Sequence, residues 1–154
     1  MDAEAALRAD CAVARALEQV GERWTLLVLR EAFLGTRRFD AMQRNIGCAR
    51  NILADRLHKL VEAGIFRRER YQERPDRYEY RLTDKGLDLW PVLVTLMSWG
   101  ERHGGSADGP VVALRHTACG NVIEPVLRCP ACDEDLDARA VRAVPGPAAL
   151  AHTA

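Results

Sequence analysis

The sequence has no excess of either charge, since 22 lysines and arginines are balanced by 22 aspartates and glutamates. This balance excludes a uniformly basic coat for nucleic acid, although an average conceals local patches. Long hydrophobic runs are also lacking: the longest, residues 24–29, is interrupted by Thr25, whereas a membrane span needs ~20 apolar residues. The first ten residues, MDAEAALRAD, lack the basic flank and apolar stretch of a signal peptide. We therefore expect a cytoplasmic protein.

Cysteines are few, and the side-chain sets that catalyse reactions are missing. The five cysteines of a cytoplasmic chain are better interpreted as metal ligands, redox thiols or core residues than as disulfides. No Ser/His/Asp set or phosphate-binding loop is recognisable, so the sequence predicts that the protein is not an enzyme. With 48% apolar and 29% charged residues, the 154-residue chain can form a packed core in one domain with an appendage, or in two small domains.

The charge is distributed unevenly along the chain. Residues 36–85 contain thirteen basic and eight acidic side chains, an excess of five, and the remainder of the chain carries the opposite excess. A basic middle with acidic flanks is typical of a face that meets an anionic partner, but it also fits a solvated helix surface. Charge alone leaves both interpretations open.

Apolar side chains recur at helical spacing in four segments before residue 64. The segments predicted to be helical are 11–20, 22–34, 39–45 and 50–63. The second is apolar on most of its circumference, which marks it as the central buried helix. The last two are joined by a tight turn at Gly47, and this arrangement is typical of a helix-turn-helix.

After residue 64 the pattern changes to the alternation of β-strands. Residues 65–71 and 77–82 flank the sequence QERPD, which predicts a hairpin with a turn built on Pro75 and Asp76. The predicted fold class is therefore mainly α with a small β-hairpin wing: a winged helix-turn-helix, followed by a small C-terminal cysteine-rich segment.

A long helix, 84–103, is predicted to follow the hairpin. Thr83 should cap this helix through its hydroxyl, and Pro91 should kink it. The helix has more apolar faces than a small domain can cover, so we expect a homodimer in which it packs with the N-terminal helix.

Two stretches carry a closer likeness: CAVARALEQVGERWTLLVLREAFLGTRRFDAMQRNI and RNILADRLHKLVEAGIFRRERYQERPDRYEYRLTDKGLDLWPVL. They resemble the HxlR-type regulators, relatives of the MarR group, in the cysteine before the first helix, the GERWTLLVLRE opening of the second and the LTDKG start of the long helix. Met42 stands where the family usually has leucine, and Cys48 and Ala49 stand where a hydroxyl cap is usual. The resemblance covers residues 11–103 and implies a winged helix-turn-helix that binds DNA as a two-fold dimer.

The resemblance also implies that helix 50–63 enters the major groove of double-stranded DNA with its N-terminal residues at base edges. A helical wheel that turns the leucines inward leaves these residues facing outward: Arg50 at the tip, Asn51, Asp55, His58 and Lys59. Asn51 suits adenine, Arg50 suits guanine and Lys59 better suits a phosphate. Asp55 either accepts from cytosine or holds Arg56. At the wing tip, Arg74 and Arg77 are expected to lie along or within the minor groove.

Cys11 lies just before the first helix, where free backbone amide groups favour a thiolate. The resemblance to HxlR-type redox sensors places their sensing cysteine at this position, and a packed structural cysteine is the alternative. Cys48 is expected to be a small apolar filler.

The C-terminal segment contains two x-x-spaced pairs, HTAC and CPAC, each followed by a turn-forming residue. The residues concerned are His116, Cys119, Cys129 and Cys132. Such pairs resemble the knuckles of a zinc ribbon, so the pattern predicts one structural zinc ion per chain. Reduced cysteines in a loose tail and a CPAC dithiol switch are the alternatives.

The sequence therefore predicts a sequence-specific transcriptional regulator, most simply a repressor, that binds a near-palindromic operator and is controlled by a small-molecule or electrophile effector. The alternatives are a winged-helix interaction module without DNA binding and a CPAC dithiol redox protein. The predicted organisation is a DNA-binding and dimerisation domain (1–103), a linker (104–110), a zinc-ribbon-like segment (111–137) and a disordered tail (138–154).

Overall fold

The computed structural model describes residues 11–105 and 107–147, in two compact units. The first unit is residues 12–93, and the second is residues 94–147 together with Cys11. The N-terminal residues 1–10, interpreted above as lacking a signal peptide, and residues 148–154 of the expected tail lie outside the described residues. Within the described ranges, no helix has the length and apolar character needed to cross a membrane.

The first unit begins with four helices, whose ends lie within one residue of the predicted ones. They are α1 (Ala12–Val20), α2 (Arg23–Phe33), α3 (Phe39–Ile46) and α4 (Arg50–Glu62). Gly47 follows α3 with a φ of 74°, a left-handed conformation that favours glycine, and its N–H donates to the carbonyl of Gln43 at 2.9 Å. The turn between α3 and α4 is therefore tight, as in a helix-turn-helix.

The core of this unit lies where α2, α3, α4 and the first strand meet. Its fully buried side chains are Val28, Leu29, Met42, Leu53, Leu57, Leu60, Ile65 and Phe66. Burial of one leucine side chain contributes ~1.5–3 kcal/mol, so the inward face of α4 fixes this helix firmly to the scaffold. Cys48 is also buried in this core, as expected for a small apolar filler.

One carboxylate, Glu31 on α2, is buried beside the core, and nothing in the sequence pattern indicated it. Its oxygens accept hydrogen bonds from Asn45 Nδ2 at 2.7 Å and from Thr36 Oγ1 at 3.2 Å, and Arg30 Nη2 lies 2.8 Å away. Burial raises the pKa of Glu31, but the bonds from Asn45, Arg30 and Thr36 outweigh it and hold the pKa below its ordinary value. Glu31 thus joins α2 to the end of α3.

The wing is an antiparallel hairpin of β1 (Phe66–Glu73) and β2 (Asp76–Leu82). The turn was predicted to contain the five residues QERPD, and this length was wrong. Glu73 pairs with Asp76, so that Arg74 and Pro75 alone form the turn. The segment before α3 pairs with β2, since the N–H of Tyr80 donates to the carbonyl of Arg37 at 2.8 Å. The wing is therefore joined directly to the start of α3.

The prediction of a single long helix after the wing was also wrong, because the structure has two helices, α5 (Asp84–Leu87) and α6 (Trp90–Gly104). A proline has no N–H and its ring collides with the carbonyl four residues earlier, and for Pro91 that residue is Leu87, the last one of α5. Pro91 instead occupies the first turn of α6, where no N–H is needed. The predicted cap is confirmed: the Thr83 hydroxyl accepts from the N–H of Gly86 at 3.2 Å.

The second unit contains most of α6, from Val94 onward, and a segment with very short strands. β3 (Leu114–Arg115) pairs with β4 (Val122–Ile123), and an isolated bridge joins Arg128 to Asp135. No residue in the described range 107–147 is buried. The described part of this segment therefore has backbone pairing in short hairpins as its regular structure, and it has no apolar core.

Candidate nucleic-acid interface

The outer face of α4 is the first part of the candidate interface. Ala49 precedes the helix in extended conformation and makes no side-chain cap, as its replacement of the usual hydroxyl residue predicts. Leu53, Leu57 and Leu60 are buried, whereas the predicted DNA-facing residues are all exposed: Arg50, Asn51, Asp55, His58 and Lys59. The arrangement of α4 thus presents these side chains to a partner, and their contacts with DNA remain a prediction.

Arg50, at the tip of this helix, is held against the first turn of α3. Its Nη1 lies 3.1 Å from Asp40 Oδ1 and 3.5 Å from Gln43 Oε1, and its guanidinium lies 4.6 Å from the ring centroid of Phe39. Both members of the Arg50–Asp40 pair are exposed, with side chains 69% and 70% accessible. Exposed pairs contribute about 0–1 kcal/mol, so Arg50 can exchange Asp40 for a base edge at little cost.

Asp55 pairs with two cations of its own helix, since its Oδ2 lies 3.1 Å from Arg56 Nη2 and 3.1 Å from Lys59 Nζ, and its contact with cytosine stays a prediction. Arg56 is mostly covered and also contacts Glu22, with its Nη1 3.3 Å from Glu22 Oε1. Arg56 therefore links α4 to the residue before α2 and belongs to the scaffold. Lys59 is exposed but carries an intrahelical partner.

Half of the six arginines of the wing are neutralised by ion pairs within it. Arg70 lies 3.3 Å from Asp76, and Arg81 lies 2.8 Å from Glu69. By contrast, the side chains of Arg74, at the turn, and Arg77, just beyond it, form no ion pair with any described residue. These two therefore carry the positive charge of the wing tip that remains available to an anion.

A cleft of about 540 Å³ lies between α3, the tip of α4 and the wing. Its basic lining residues are Arg38, Arg44, Arg50 and Arg77. Sequence reasoning assigned no role to Arg38 or Arg44, although both belong to the basic middle of the chain. Arg38 stacks on Tyr71 with its guanidinium 4.5 Å from the ring centroid, and Arg44 forms no ion pair among the described residues. The cleft suits the phosphate backbone of a nucleic acid, because arginine binds phosphate through a planar set of donors.

The remaining predicted site residues lie in the second unit. Cys11 is half-buried immediately before α1. His116 and Cys119 are brought together, with Nδ1 3.3 Å from Sγ. Hydrogen bonds from the backbone N–H groups of Ala131 and Cys132, and from the Cys132 thiol, hold the pKa of the Cys129 thiol below its ordinary value. The four C-terminal candidates thus form two pairs, and nowhere in the described chain are three or more His, Cys, Asp or Glu side chains grouped as a metal site.

The comparison of the sequence with known families agrees with this geometry. Residues 19–108 match the HxlR-like helix-turn-helix family. A relative in Mycobacterium tuberculosis, the HTH-type transcriptional regulator Rv3095, is 51% identical over 135 residues, which cover 88% of this chain and 85% of the relative. A second relative, an HTH-type transcriptional regulator of Methanothermobacter thermautotrophicus, is 37% identical over 95 residues, 61% of this chain and 72% of its own.

Solved structures show the same architecture. The crystal structure of PA1607, described as a candidate transcription factor, has a TM-score of 0.77 and 37% identity over 91% of this chain and 98% of its own. The oxidised form of the redox regulator HypR has a TM-score of 0.56 and 30% identity over 60% of this chain and 97% of its own. With a helix-turn-helix, a basic wing and these relatives, the chain belongs to the HxlR-like helix-turn-helix family and is a DNA-binding transcriptional regulator with a winged-helix fold.

Proposed function

We propose that the chain is a homodimeric repressor that places α4 in the major groove and the wing tip at the minor groove of a near-palindromic operator. The observation that carries this proposal is an exposed polar face on α4 together with three arginines that form no ion pair in the described part of the chain: Arg44 and Arg77 in the cleft at the tip of α4, and Arg74 at the turn of the wing. The exposed side chains of α4 supply base contacts, and these arginines supply phosphate contacts that set affinity and register. We also propose that the protein acts in the cytoplasm.

Repression is the simplest outcome of such binding, because a dimer seated on a promoter excludes the polymerase from the same site. Control by an effector completes the proposal: a small ligand or an electrophile shifts the chain between conformations that do and do not match the operator. Cys11 is the thiol we assign to an electrophile, since it is partly accessible at the start of α1. HypR, which this chain resembles in structure, is described as a redox regulator, and this description supports redox control of the present chain. A packed, inert Cys11 would limit control to ligands.

The dimer is supported by apolar side chains that remain exposed on two helices. On α1, Val13 and Leu17 are 65% and 57% exposed, and on α6, Leu96 and Trp99 are 47% and 58% exposed. Monomeric proteins seldom leave patches of large apolar side chains in water, and each of these two helices exposes such side chains. A second copy of this chain, related by a two-fold axis, would cover them and would place two α4 helices ~34–36 Å apart, one helical turn of DNA.

We expect sedimentation at micromolar concentration to find a dimer, and DNA selected from a random pool to carry two inverted half-sites. Replacing both Leu96 and Trp99 with glutamate should give a monomer with weakened DNA binding, because four charges would be brought together at the two-fold contact. The matched control replaces both Val141 and Val144 with glutamate, which adds the same two charges at apolar residues that are 52% and 74% exposed. A wild-type monomer that binds its selected site at full affinity would refute the dimer.

A further inference from the structure

The C-terminal unit contains two turns of the same geometry, of which the first begins at His116. The N–H of Gly120 donates to the carbonyl of His116 at 2.8 Å, and the N–H of His116 donates to the carbonyl of Asn121 at 2.9 Å. Gly120 has a φ of 73°, in the left-handed region. The turn therefore carries His116 and Cys119 on one loop that closes on itself.

The second turn, which begins at Cys129, repeats this pattern position by position. The N–H of Asp133 donates to the carbonyl of Cys129 at 2.9 Å, and the N–H of Cys129 donates to the carbonyl of Glu134 at 2.8 Å. Asp133 has a φ of 61°, and no other non-glycine residue of the described chain has a positive φ. A residue with a side chain is strained in this backbone conformation, yet Asp133 adopts it at the position that Gly120 occupies in the first turn.

Each turn brings together two side chains that can bind a metal ion. His116 Nδ1 lies 3.3 Å from Cys119 Sγ in the first turn, and the Cys132 thiol hydrogen-bonds to Cys129 in the second. Backbone N–H groups of Ala131 and Cys132 also point at the Cys129 sulfur. Nitrogen and sulfur donors at this x-x spacing, supported by backbone amides, form the half-sites of zinc knuckles.

Apolar burial does not explain why this segment is folded. None of the described residues 107–147 is buried. Several large apolar side chains of this range are exposed: Val122, Val126, Leu127, Val141 and Val144. The described strands β3 and β4 have two residues each. Segments of this size that lack a core are commonly held together by a metal ion or a disulfide.

We propose that His116, Cys119, Cys129 and Cys132 bind one zinc ion per chain in a closed tetrahedral site that joins the two turns. The described chain shows the ligands as two preformed pairs, so metal binding would bring the pairs together and supply the free energy that burial does not. Three thiolates and one imidazole fill all four positions of zinc and leave none for a substrate, so the ion is structural. The proposal does not depend on DNA binding by the first unit.

The test uses the full-length protein purified without a chelator. Elemental analysis should find about one zinc per chain, and cobalt(II) in its place should give the intense absorption of a tetrahedral thiolate site. The thiols of Cys119, Cys129 and Cys132 should become reactive toward alkylation only after a chelator is added, since coordination occupies their lone pairs, whereas the buried Cys48 should resist alkylation in both states. Chelation should then make residues 107–147 sensitive to protease while residues 12–93 stay resistant.

Replacing Cys129 with serine should abolish zinc and cobalt binding, whereas the matched variant Cys11→Ser should retain both. If the reduced protein contains no zinc and gives no cobalt spectrum after anaerobic incubation with the metal, the site does not exist. Equal metal content in Cys129→Ser and the wild type would overturn the ligand assignment. If the protein binds neither zinc nor cobalt but forms a reversible disulfide between Cys129 and Cys132, the pair is a dithiol switch instead.

Discussion

A variant that combines Arg44→Ala, Arg74→Ala and Arg77→Ala should bind every DNA sequence more weakly than the wild type, by a similar factor for each. Arg44 and Arg77 line the cleft at the tip of α4, and Arg74 lies at the turn of the wing. None of the three forms an ion pair with a described residue, so their removal takes away phosphate contacts and little internal structure. Each lost phosphate contact lowers the slope of log K against log salt by ~0.9. Binding titrations at several salt concentrations should therefore give a slope flattened by roughly 2–3 units per chain.

The matched control removes three other exposed arginines, Arg102, Arg139 and Arg142, which lie in the second unit. This control changes the net charge equally, so it separates local phosphate contacts from the overall field of the protein. We expect its salt slope to stay close to that of the wild type. An equal loss of slope in both variants would show that the cleft and the wing tip are not the phosphate-binding surface.

Replacing Leu57 with alanine should lower the free energy of unfolding by ~2–5 kcal/mol. The side chain of Leu57 is fully buried on the inward face of α4, and its truncation leaves a cavity between α4 and α2. Because domains of this size are stable by ~5–15 kcal/mol, a large part of the stability would be lost. Denaturant unfolding monitored through tryptophan fluorescence measures the change.

The control for Leu57→Ala is Leu127→Ala, because Leu127 is 60% exposed and lies in the second unit. It should change the free energy of unfolding by less than ~0.5 kcal/mol, as is usual for a surface substitution. If both variants had the same stability, α4 would not be fixed to the core by its leucines, and the assignment of its outer face would fail with it.

The first four helices could be predicted almost to the residue, because apolar spacing and glycines such as Gly47 determine where they begin and end. The start of α6 could not. The sequence showed that Pro91 disturbs the helix. It did not show whether the proline bends the helix or interrupts it, because this depends on how readily a helix can end at Leu87 and its neighbours. The hairpin turn was predicted too long because backbone pairing of Glu73 with Asp76 does not depend on turn-forming side chains.

The candidate interface could be predicted in outline, since the wheel of α4 separates its leucines from its polar residues. The sequence does not reveal which arginines are free, because this depends on partners distant in the chain. Arg81 meets Glu69 only when the two strands pair, whereas Arg44 lies in a cleft that only the assembled wing creates. Glu31 escaped prediction for the same reason, since Asn45 reaches it from another helix.

The central claim, that α4 reads the DNA sequence, is tested most directly by comparing Arg50→Ala with Arg74→Ala on a library of single-base changes in the selected operator. Loss of a bidentate contact from Arg50 should cost ~1–3 kcal/mol on the operator and remove discrimination at one base position of each half-site. Arg74→Ala should weaken binding to all members alike and leave their order unchanged. If both variants lost affinity uniformly across the library, α4 would not be the recognition helix.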